Sequence, residues 1–141
     1  MQQGLPRHGA ALALRDRGKD RESDNAAVRV ARLVSEDVFG HRLAEREKEA
    51  AGAVAHYAMG ATSGAIYGAA AELLPPATVG AGLPFGAAVW MVADELVVPA
   101  LGLSKPPAAY PLSTHVYALA SHLVYGLTTE AARRAVRSAL R

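Results

Sequence analysis

The stretch AAGAVAHYAMGATSGAIYGAAA, residues 50–71, decides how the rest of the chain is read, because it runs for twenty-two residues without a formal charge. As a helix rising 1.5 Å per residue, a run of that length crosses the ~30 Å hydrocarbon core of a bilayer. Ala and Gly dominate it and Leu is absent, so it offers a surface for close approach more than greasiness. Gly60, Gly64 and Gly68 form a GxxxGxxxG row, the small-residue seam that lets helix backbones touch in lipid. On an ideal helix Gly52, His56, Gly60, Ser63, Gly64 and Tyr67 share a sector of roughly 120°, giving one small and polar face. The seam predicts association with another helix, within the chain or in a homo-oligomer. The competing reading is an Ala/Gly-rich helix of a soluble bundle.

Charge divides the chain around this stretch. Residues 1–49 hold 10 of the 15 Lys and Arg and 9 of the 13 Asp and Glu, whereas residues 50–132 carry only Glu72, Asp94, Glu95, Lys105 and Glu130. The two parts are therefore expected to differ in solvent exposure. The net charge of +2 is small, and basic residues in the first part alternate with acids, which argues against nucleic acid as a partner. There is no cysteine, which excludes disulfides, thiolate zinc sites and thiol nucleophiles.

Toward the N-terminus, residues 1–24 are rich in Gly, Arg, Asp and Gln, and their apolar run Ala10 to Leu14 is too short for a signal-peptide core. They read as a disordered cytoplasmic tail. Residues 25–49 read as an amphipathic cytoplasmic or interfacial helix followed by a collar. Asp24 or Asn25 is placed to cap it, Ala27, Val30, Ala31, Val34 and Val38 form one stripe, and Gly40 ends it. The charged segment Glu45 to Glu49 then leads into the first span.

Toward the C-terminus, Pro75 and Pro76 break the first span and Pro84 suits the first turn of a second hydrophobic helix, Leu83 to about Leu103. That helix carries Asp94 and Glu95 near its middle, and Pro99 deprives the Glu95 carbonyl of its helical donor, which predicts a kink. Lys105 to Pro111 makes an extended connector. A third helix has an uncharged part from Thr114 to Thr129, and residues 133–141 form a basic tail with Arg133, Arg134, Arg137 and Arg141. Positive charges flank both the first and the third span, so the rule that positive loops stay inside gives no orientation.

Seven ionisable groups lie in or beside these spans: His56, Glu72, Asp94, Glu95, His115, His122 and Glu130. An unpaired charge in hydrocarbon costs at least ~2.5–3.5 kcal/mol, so these groups are expected to face one another. His115, His122, Gly126 and Glu130 share one face of the third helix within about 80°, and Gly86, Trp90 and Asp94 form a similar row on the second. Such groups serve as interhelical hydrogen bonds and ion pairs, as a proton or ion path, or as a metal site. No HExxH or ExxH spacing occurs, and no metal or cofactor is expected. There is no P-loop, GxGxxG or GxSxG, and Ser121 beside His122 cannot form a dyad by adjacency; no catalytic residue is assigned. Gly82, Gly86 and Gly126 read as helix-packing glycines.

The runs HYAMGATSGAIYGAAAE (56–72), GLPFGAAVWMVADELVVPALGLS (82–104) and HLVYGLTTEAARR (122–134) resemble the YagU-like family of small bacterial inner-membrane proteins of unknown function. The resemblance implies a multi-pass protein of the inner (cytoplasmic) membrane, loosely associated with acid tolerance, and it carries no catalytic residues. The sequence as a whole predicts an all-α integral membrane protein with about three hydrophobic helices in residues 50–132, preceded by an amphipathic N-terminal helix. Its expected role is structural or related to envelope stress, with the bilayer as partner. The alternative is a proton- or ion-conducting channel or transporter that uses the His and carboxylate groups.

Overall fold

A computed structural model describes residues 24–140. The tail expected over residues 1–24 lies outside the described residues except for Asp24, as does Arg141 at the other end. The chain divides into two units, Met1–Ala53 and Val54–Arg141. Every regular element among the described residues is helical.

In the first unit, helix α1 (Ala26–Phe39) starts where Asn25 leaves the helical region and its Oδ1 accepts the Val28 N–H at 3.0 Å, satisfying one of the free amides of the first turn. It stops at Gly40, whose φ of 64° is the left-handed conformation that favours glycine. The side chain it buries is Val28, at 7 % exposure. The expected stripe fares differently: Val34 and Val38 stand exposed. Val28 is the one chosen because helix α2 (Glu45–Leu73) presents Gly52 to it; a Cβ there would lie 2.6 Å from Val28 Cγ2. Ion pairs surround this contact. Lys48 Nζ lies 2.6 Å from Glu45 and 3.2 Å from Asp24, and Asp24 also meets Arg32 at 3.2 Å. The charged segment Glu45 to Glu49 thus contributes a buried lysine, Lys48.

The second unit begins within α2. That helix ends at Leu73, and Pro75–Gly82 follow as tight turns in which Gly80, Ala81 and Gly82 all take positive φ. Helix α3 (Leu83–Val89) then starts with Pro84 in its first turn. It passes directly into a π-helical segment, Trp90–Val97, in which the ladder lengthens so that Val98 N–H bonds Ala93 O, and ends as the single turn α4 (Val98–Ala100). Pro99 has no amide to give Glu95, and the chain adjusts by winding wider just before it. After a short 3₁₀ turn at Pro107–Ala109, helix α5 (Leu112–Ala139) closes the unit. It continues through the segment expected as a tail, so Arg133, Arg134 and Arg137 stand on a helix.

Two registers follow. α3 runs antiparallel to α5 and close to it: a Cβ on Gly86 would collide with the His122 carbonyl, and one on Gly82 with the Gly126 carbonyl. α2 runs parallel to α5, with Gly60 opposite Tyr125, Tyr67 opposite Glu130 and Glu72 opposite Arg137. Here aromatic and ionic side chains bridge the gap. Phe85 of α3 stacks on Tyr67 at 4.4 Å between centroids and lies 5.7 Å from Tyr125.

Among the described residues one stretch, Pro75–Ala100, is long and apolar enough to cross a membrane. The Ala- and Gly-rich α2 and the Ser-, Thr- and His-bearing α5 are long but less apolar, because small and hydroxylated side chains add little apolar surface.

Candidate functional site

α5 carries three sets of charged groups, each about two turns beyond the last. At its start His115 faces Glu95 of the π segment, with Nδ1 and Oε1 2.6 Å apart, while its Nε2 lies 3.1 Å from the Pro107 carbonyl. Two turns on, His122 faces Asp94 at 3.7 Å through Nε2 and bonds the Ala118 carbonyl at 2.8 Å through Nδ1. A backbone carbonyl only accepts, so each imidazole spends one N–H on the backbone. The other ring nitrogen is left against a carboxylate. The His115–Glu95 contact is a hydrogen bond only when the pair holds a second proton, either on the imidazole or on the acid. Adjacent residues on an α-helix point about 100° apart; the wider π turn lets Asp94 and Glu95 both reach α5.

The third set lies just beyond the uncharged stretch of α5. Glu130 is 1 % exposed and is the fully buried large side chain among the described residues. It accepts from Tyr67 Oη (2.9 Å), from Arg133 Nε and Nη2 (2.7 and 2.9 Å) and from Arg134 Nε (2.6 Å). The Arg133 guanidinium above all, with help from Arg134 and Tyr67 and against the cost of burial, holds its carboxyl down at about 2. Glu72 joins from the end of α2, accepting from Arg133 at 2.9 Å and from Arg137 at 2.7 and 2.8 Å. The result is a five-membered network of two acids and three guanidiniums.

The seven ionisable groups singled out in the sequence therefore divide. Asp94 with His122 and Glu95 with His115 form two separate pairs; Glu72 and Glu130 belong to the arginine network; His56 is exposed on α2 beside Tyr57. Among the described residues no three His, Asp or Glu side chains come together as a metal-ion site. The sequence puts Tyr67 on a face fit to hydrogen-bond across a helix pair, but it does not single out the arginines as partners of Glu72 and Glu130. The spacing of Glu130 to Arg133 and Arg134, three and four residues, was the available signal.

Of the glycines, Gly82, Gly86 and Gly126 lie where α3 and α5 touch backbone to backbone. Gly60, Gly64 and Gly68 instead line an open groove of about 1000 Å³ between α2 and α5. Tyr125 crosses one end, donating to the Gly60 carbonyl at 2.7 Å and standing 3.1 Å from Ser63 Oγ. At Gly68 an added Cβ would meet nothing within 4 Å.

The model of a family described as "Protein of unknown function (DUF1440)" matches residues 34–131. Comparison with curated proteins and with solved structures finds no match.

Proposed function

We propose, from the premise that the chain belongs to the DUF1440 family of proteins of unknown function, that it is a multi-pass protein of the bacterial inner membrane with a structural, envelope-related role. The finer likeness to YagU-like proteins points the same way. One observation carries the reading. Among the described residues the most deeply buried large side chain of the second unit is a glutamate, while Val54, Ile66, Met91, Leu96, Val116 and Val124 stand exposed. A soluble monomer keeps its large apolar side chains together and its charges outside. A bundle in lipid reverses this, with ionisable groups paired inward and apolar ones facing hydrocarbon. The test is extraction. The protein should stay with membranes at alkaline pH and need detergent for release, and tags at residues 1 and 141 should report opposite faces. Release without detergent would reject the membrane, and tags on one face would reject three crossings.

A second reading, proton transfer, is favoured by the His115–Glu95 pair, in hydrogen-bond contact at 2.6 Å, with the His122–Asp94 ion pair two turns further along α5. It predicts proton flux into liposomes that Asp94→Asn with His122→Gln abolishes. Flux equal to that of empty liposomes would remove it.

A further inference from the structure

We propose that the Glu95–His115 pair is a proton-held clamp: with two protons it ties the Lys105–Pro111 connector to α5, and with one it lets the connector go. The inference needs neither the membrane nor the proton-transfer reading, because it concerns only where the protons of one imidazole can sit. His115 meets two acceptors at once, Glu95 Oε1 at 2.6 Å through Nδ1 and the Pro107 carbonyl at 3.1 Å through Nε2. A neutral imidazole carries one N–H and cannot donate to both. Both contacts hold when a second proton is present, whether it charges the imidazole or sits on the carboxyl and is donated to Nδ1.

Loss of the second proton forces a choice, and the strengths of the two bonds decide it. A proton kept on Nδ1 makes a charge-assisted bond to the Glu95 carboxylate, roughly twice as strong as a neutral one. Kept on Nε2, it serves the Pro107 carbonyl but leaves the Nδ1 lone pair 2.6 Å from a carboxylate oxygen. The imidazole therefore holds Glu95 and turns a lone pair toward Pro107. Burial points the same way. The side chains of His115 and Glu95 are 22 % and 15 % exposed, whereas Lys105, Pro106 and Ala108 to Pro111 stand exposed, so water replaces the connector's lost bond more readily than the pair's. The Pro107 carbonyl also accepts the Tyr110 N–H at 3.1 Å, so the turn Pro107–Ala109 outlasts its tie to α5. Other titratable groups gather at this end of the unit. Asp94, next to Glu95 in the π segment, lies 3.7 Å from His122 and within reach of the His56 charge from α2. Tyr110 sets its ring edge-on to His115 at 6.5 Å between centroids and accepts the N–H of Lys105, the connector's charged residue, at 3.2 Å.

The chain has no cysteine, so Ala108→Cys carries a single nitroxide in the exposed turn. Electron paramagnetic resonance of the purified full chain, scanned from pH 5 to pH 9, reads the ratio of immobile to mobile label. With Glu95 and His115 in place that ratio should fall about fivefold as pH rises, the factor one neutral hydrogen bond supplies. Glu95→Gln, whose amide donates to Nδ1 without a second proton, should stay tethered at every pH, and His115→Phe should be free at every pH, with helical circular dichroism unchanged in both. Nitrogen-15 resonances of the His115 ring give a reading that packing alone would not move: Nε2 should lose its proton as the label is freed. A label that ignores pH, an Nε2 that keeps its proton through the transition, or a tethered His115→Phe overturns the proposal. So does a pH response that survives in Glu95→Gln; if Asp94→Asn then removes it, the response belongs to the Asp94–His122 pair. Label mobility is read without reference to alkaline extraction or proton flux, so failure of the clamp is told apart from failure of either earlier reading.

Discussion

Glu130→Gln isolates the most buried charge among the described residues. The wild-type carboxylate accepts four hydrogen bonds, three of them from guanidiniums, and its carboxyl is held at about 2 against an ordinary 4.5. At ~1.4 kcal/mol per pH unit that difference contributes about 3 kcal/mol at neutral pH. The glutamine keeps the shape but offers one acceptor oxygen and no charge, leaving Arg133 beside a neutral group. The expected loss is thus about 3 kcal/mol, within the range for breaking one side of a buried pair. The pH profile gives an independent reading. Because the folded pKa lies below the unfolded one, the contribution is complete above pH 4.5 and is lost as pH falls from 4.5 to about 2. The wild type should therefore lose stability on acidification that Glu130→Gln does not. Unfolding in detergent, followed by circular dichroism at pH 7 and pH 3, measures both. A loss under about 1 kcal/mol at pH 7, or the same acid-side decline in both proteins, would refute the reasoning.

Tyr67→Phe removes one donor to Glu130 and keeps the stack on Phe85, so a loss of about 1–2 kcal/mol is expected in the same unfolding assay. Gly86→Ala drives a Cβ into the His122 carbonyl and must push α3 off α5; a fall of about 1–3 kcal/mol, with faster amide exchange in both helices, is the outcome. Gly68→Ala, by contrast, should raise stability by up to about 1 kcal/mol in a thermal melt. Asn25→Ala removes the cap of α1 and should cost about 1 kcal/mol locally, read as faster exchange of the Val28 amide.

Local chemistry made much of the fold legible. Asn25, Gly40 and Pro84 mark helix ends by what their side chains or φ angles allow, and the structure places helix ends at all three. Charge spacing reaches partway: Glu130 with Arg133 and Arg134 is a one-turn pattern, yet the sequence reads the arginines as a basic tail. The cross-helix partners were out of reach. Tyr67 to Glu130 and Glu72 to Arg137 depend on the parallel register of α2 and α5, which spans more than sixty residues and leaves no periodic trace. Val28 was missed because the residue that receives it is Gly52, a position whose packing role lies in having no side chain. Pro99 announced a missing hydrogen bond, but not that the ladder would absorb it one turn earlier as a π segment.

The left-handed run at Gly80, Ala81 and Gly82 has a consequence for where the protein can reside. Although Pro75–Ala100 is apolar apart from Asp94 and Glu95, the break divides it, and the helical rod proper spans segments of 7, 8 and 3 residues from Leu83 to Ala100. That rod is about 27 Å long, slightly less than the ~30 Å of an average hydrocarbon core. A rod shorter than its slab gains nothing by leaning; it stands near the normal and draws the two leaflets together around it. Embedded as proposed, the protein favours thin bilayers, and thickening the host lipid by a few ångströms should drive copies to cluster and share the dimple.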